Sequence, residues 1–90
     1  MGKNVLSSFG AKYPPARKAV TNWVQVVEAA QWNTLTDLKS TFTSADYVAP
    51  YVVFNVGGNK YRVITLVEFA LKLVQVEHAF THEQYNRWQP

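Results

Sequence analysis

The chain has 90 residues, enough for one domain spanning 1–90 and too few for two cores; a domain of this size buries only about 60 to 65% of the surface its unfolded form exposes. Hydrophobic residues at 48% and aromatic residues at 14% describe a packed globule and exclude a low-complexity or disordered chain, while a net charge of +3 permits a nucleic-acid partner without requiring one. The absence of cysteine excludes disulfides, thiolate metal sites and a cysteine nucleophile.

At the N-terminus, MGKNVLSSF lacks the apolar core of a signal peptide, and Leu6 stands where a myristoylation motif needs Ser or Thr. Apolar stretches are interrupted by Pro50, Glu68 or Lys72, well short of the about 20 residues of a membrane helix, so a soluble cytoplasmic protein is expected. Lys3–Lys12 predicts a first helix that buries Val5, Leu6 and Phe9. After Pro14 and Pro15, Ala16, Ala19, Val20, Trp23, Val24, Val27 and Ala30 form one apolar stripe at helical spacing, predicting a second helix that ends near Gln31. These two helices are expected to form a hairpin across one face of a sheet, with Trp23 and Trp32 in the core and the other face free for function. Residues 36–41 predict a helical turn with Leu38 and Phe42 inward and Lys39 outward, and Ser44, Ala45 and Asp46 predict a turn into the first strand.

Three runs rich in β-branched and aromatic residues follow: Tyr51–Val56, 61–67 and 73–80. Between the first two, Gly57, Gly58 and Asn59 supply the positive φ angles of a tight hairpin. The connection at 69–72 is short enough for the third strand to join as a meander. The expected fold is therefore α+β: an N-terminal α-hairpin on a three-stranded antiparallel sheet, closed by a short C-terminal helix or turn.

FNVGGNKYR, followed some twenty residues later by THEQY, resembles the HigB-type toxins of bacterial type II toxin-antitoxin pairs, in the RelE-like group of mRNA interferases. Upstream, FGAKYPPAR, Trp32 and LKSTFTSADYV follow the same family pattern in order, so the likeness covers nearly the whole chain. It implies a RelE/ParE-like fold, a ribosome-dependent mRNA endonuclease needing no cofactor or metal, a helix-turn-helix antitoxin of the HigA type, and mRNA in the A site of the 30S subunit as partner. Family members usually open with a strand before the first helix, whereas this chain starts almost inside that helix, which implies an unprotected edge open to a partner or to self-association. The alternative is a catalytically weak or inactive relative that binds antitoxin or RNA.

Cleaving RNA without a metal uses the ribose 2′-OH as nucleophile, and so demands cations and a group that handles protons. Lys60 and Arg62 at the start of one strand, and Thr81, His82 and Tyr85 just after another, can converge because paired strands lie about 4.8 Å apart. By the resemblance, Arg62 corresponds to the arginine that grips the scissile phosphate with Lys60 in support, His82 is the general acid or base, and Tyr85 stacks on a base or orients the phosphate. Asn55, Lys60, Arg62 and Lys39 are the candidate RNA contacts. The structural alternatives are an Arg62 ion pair with Glu68 or Glu77, a solvated Lys60, turn-forming roles for Asn55 and Asn59, and a packed His78 sharing a strand face with Val74, Val76 and Phe80. His78 and His82 do not make a metal pair. Glu77 stands where relatives carry Arg or Lys; at about 4 Å and an effective dielectric near 20, its repulsion of a phosphate would be roughly 4 kcal/mol, on the order of a thousandfold in rate.

Overall fold

The apolar stripe that begins at Ala16 does form a helix, and it buries Val20, Trp23 and Val27. In the computed structural model, which describes residues 1–90, α1 (Lys3–Lys12), a 3-10 turn at Pro14–Ala16, α2 (Arg17–Ala29) and α3 (Leu35–Thr41) precede an antiparallel meander. The meander consists of β1 (Asp46–Val48), β2 (Tyr51–Val56), β3 (Tyr61–Glu68) and β4 (Leu73–Thr81), in that spatial order, and α4 (His82–Arg87) follows. α2 stops at Ala29 because Ala30 is extended, and α3 is capped by Thr34, whose side chain accepts a hydrogen bond from the Asp37 amide at 3.1 Å.

The α+β expectation holds, but the sheet has four strands instead of three. Asp46, Tyr47 and Val48 pair with Val53, Val52 and Tyr51 across the turn at Ala49 and Pro50, where only a turn was expected. Three residues are too few to show an alternating pattern, and the free edge of β2 recruits them. No strand precedes α1, so β4 is the opposite edge. There the Met1 carbonyl accepts from the Val76 amide at 2.7 Å. Gly2 makes that approach possible: its φ is 84°, and a Cβ on it would stand 2.7 Å from the Val76 carbonyl oxygen.

The core lies between the helices and one face of the sheet. Phe54 is fully buried at its centre, edge-on to Trp23 and Phe42 with ring centroids 5.2 and 5.0 Å away, and stacked with Trp32 at 6.4 Å. Both tryptophans are thus core residues, as expected; Trp32 also donates through Nε1 to the Thr41 hydroxyl at 3.0 Å. The β2–β3 hairpin has Gly57, Gly58 and Asn59 at φ 67°, 60° and 77°.

The face opposite the helices is partly covered. Val53 and Ile64 are buried outside the main core, and Trp88 returns over that face against Tyr51, His78 and Phe80 at 5.2, 5.8 and 5.9 Å between ring centroids. A β-bulge decides which β4 residues take part. Ile64 pairs with His78 and Thr65 with Val76, so two β4 steps match one β3 step and Glu77 has no partner. Val74 and Val76 pack on the helix-side core, and beyond the bulge Ala79 does so. His78 consequently stacks on Phe80, at 5.3 Å, and does not share a face with Val74 and Val76 as strict alternation would require.

Candidate functional site

Three elements meet where β4 gives way to α4. Thr81 starts α4 with a reciprocal cap: its hydroxyl accepts from the Gln84 amide at 3.2 Å, while the Gln84 side-chain oxygen accepts from the Thr81 amide at 3.0 Å. Gln84 also donates to the Tyr13 hydroxyl at 3.0 Å, tying α4 to the end of α1, and the His82 amide donates to the Lys60 carbonyl at 2.9 Å, tying it to the β2–β3 hairpin. His82 is therefore held at its backbone from two sides while its side chain stays exposed.

His82 opens onto a shallow cleft whose lining includes Tyr13, Asn59, Lys60, Glu83, Gln84 and Arg87. Lys60 is exposed there, and Arg87 pairs with Glu83 at 3.5 Å in a fully solvated contact. The cleft thus presents an unpaired ammonium and an imidazole side by side, a combination suited to an anion.

Arg62 lies beneath this surface, 8% exposed and outside the cleft lining. It is in no ion pair, so the alternative pairing with Glu68 or Glu77 does not occur. Its Nη1 donates to the carbonyls of Asn59 at 3.1 Å and Tyr61 at 3.2 Å; its Nη2 donates to Asn59 Oδ1 at 2.7 Å and contacts His82 Nδ1 at 2.9 Å. The Tyr85 ring packs on the guanidinium with its centroid 5.5 Å from Cζ, so Tyr85 reaches the site through Arg62.

The structure thus brings Lys60, Arg62, His82 and Tyr85 together and leaves three candidates aside. Asn55 is the cross-strand neighbour of Arg62, but its amide donates to the Ser44 carbonyl at 3.2 Å and so holds the loop before β1. Lys39 is exposed on α3 and lines no part of the cleft. Glu77, unpaired in the bulge, accepts from the Gln75 side chain at 3.0 Å and lies three positions along β4 from Phe80, the partner of Arg62. Glu77 is not among the residues that line the cleft. Sequence reasoning missed the double hold of Asn59 on Arg62 and the Tyr13–Gln84 link. The T-x-x-Q spacing from Thr81 to Gln84 is a capping-box signature that marks the start of α4, but neither of those two contacts has a local signal in the sequence.

An α-hairpin on an antiparallel meander, with a cationic, imidazole-bearing cleft where the last strand becomes a helix, defines a small RelE-like α+β protein. The profile of the HigB toxins, described as the RelE-like toxic component of a toxin-antitoxin system, matches residues 16–88, and the chain belongs to that family. It is 28% identical over 87 residues to the mRNA interferase toxin HigB of Escherichia coli K12, covering 93% of this chain and 84% of that protein. It is 29% identical over 79 residues to the mRNA interferase HigB of Escherichia coli O6:H1, covering 84% and 77%.

Proposed function

We propose that this HigB-family chain is an endoribonuclease that cleaves translated mRNA in the ribosomal A site, without a metal, and is neutralised in the cytoplasm by a helix-turn-helix antitoxin of the HigA type. The reading is carried by the placement of Lys60 and His82 in one cleft, with Arg62 in contact with His82 beneath it, in a chain whose relatives are mRNA interferases. In the proposed reaction the ribose 2′-OH gives its proton to water and attacks the adjacent phosphorus, the bond to the 5′ oxygen breaks as that oxygen takes a proton from water, and a cyclic phosphate is left on the upstream fragment. Lys60 offsets the charge that grows on the phosphoryl oxygens, and His82 meets the phosphate from the start of α4. The cleft is shallow, which favours a reaction completed by the geometry of ribosome-bound mRNA.

The case for a catalytically weak relative rests on Glu77, which lies outside the cleft lining and three positions along β4 from the partner of Arg62. The test is inducible expression of the chain with and without a HigA-type antitoxin, with mapping of mRNA 5′ ends. Growth arrest with new mRNA ends only when the antitoxin is absent is the expected result. Normal growth and intact mRNA at high expression would refute the reading.

A further inference from the structure

We infer that Arg62 is a positioning residue that holds His82 as the Nε2–H tautomer, so that His82 meets the substrate as a hydrogen-bond donor while Arg62 itself stays out of reach. A guanidinium carries five N–H donors and no acceptor. Four of the five are taken: two by the carbonyls of Asn59 and Tyr61, one by Asn59 Oδ1 and one by His82 Nδ1, at 2.7 to 3.2 Å. Only Nε–H is uncommitted, one face of the group lies against Tyr85, and the residue is 8% exposed. Turning outward to grip a phosphate would break all four contacts and leave the acceptors of Asn59 and Tyr61 without their donor.

The contact with His82 has a direct consequence for the imidazole. Because Arg62 can only donate, Nδ1 must present its lone pair, and in the neutral ring the proton then sits on Nε2. Without Arg62, a neutral imidazole exchanges between two tautomers, one of which would turn a lone pair toward the phosphate. The buried arginine thereby fixes the hydrogen-bonding sense of an exposed group, and Asn59, through its carbonyl and its side chain, fixes the arginine.

The test is long-range proton–nitrogen NMR correlation on the full chain with nitrogen-labelled histidine, at a pH where His82 is neutral. In the unmodified protein His82 is expected to show a bare Nδ1 and a protonated Nε2. In Arg62→Met, which keeps the length of the stem, the two nitrogen signals should move toward each other as the tautomers mix. A protonated Nδ1 in the unmodified chain, or an unchanged tautomer in Arg62→Met, would overturn the role. The spectrum of the unmodified chain decides the point even if the variant does not fold. Where cleavage is measurable, Arg62→Met should lower kcat by about a hundredfold with KM within about threefold, whereas a phosphate clamp would raise KM. The kinetic effect rests on the proposed mRNA cleavage; the spectra do not, so failure of one reading is distinguishable from failure of the other.

Discussion

Replacing Glu77 with Arg tests how far the β-bulge removes this residue from the chemistry. Glu77 lies three positions along β4 from Phe80, which pairs with Arg62, and His82 lies further in the same direction. With about 3.3 Å per residue and about 4.8 Å between strands, the separation from Arg62 is roughly 11 Å. Unit charges at that distance interact by about 1.5 kcal/mol at an effective dielectric near 20, so reversing the charge changes the energy by about 3 kcal/mol before screening. At 0.15 M ionic strength the screening length is about 8 Å, which lowers the change to roughly 0.8 kcal/mol, or about fourfold in rate. The Glu77→Arg chain should therefore cleave translated mRNA within about tenfold of the unmodified chain, and both should arrest growth in the absence of antitoxin. Cleavage rates on a defined mRNA programmed into ribosomes, at two salt concentrations, supply the comparison. A gain of about a thousandfold would mean that position 77 faces the scissile phosphate after all and that the register reasoning is wrong.

Removing the exposed imidazole in His82→Ala should slow cleavage by about a hundred- to a thousandfold with little change in melting temperature, whereas His82→Gln, which retains an N–H donor, should lose less; equal losses in the two would argue against a donor role. Thr81→Ala removes one half of the α4 cap and should cost about 1 kcal/mol in urea unfolding; no loss would mean that the cap is not stabilising in solution. Phe54→Ala empties the centre of the aromatic core and should cost about 3 to 5 kcal/mol, a large share of the roughly 5 to 13 kcal/mol expected for a domain of this size. A denaturant midpoint that hardly moves would place the core elsewhere.

Residues with a single local solution were legible in the sequence. Gly57, Gly58 and Asn59 announce the positive φ angles of the hairpin, the stripe through Val20, Trp23 and Val27 announces α2, and the long strand runs announce β2, β3 and β4. In each case one backbone geometry suits the side chains far better than any other, so the pattern appears within a few residues. The family pattern also selected Lys60, Arg62, His82 and Tyr85, four residues that fold into contact or into one cleft.

What depended on long-range pairing was not legible. β1 exists because β2 offers an edge, and the bulge at Glu77 exists because β4 must match β3 on one side while seating Val76 and Ala79 in the core on the other. One unpaired residue reverses the facing of everything beyond it, which takes His78 and Phe80 off the face that Val74 and Val76 occupy. The sequence by itself singled out Arg62 and His82 as candidates, and the fold puts their side chains in contact. Only the tertiary structure decided which of them is exposed, because the burial of Arg62 and the commitment of its donors depend on groups brought together from the hairpin, β3 and α4.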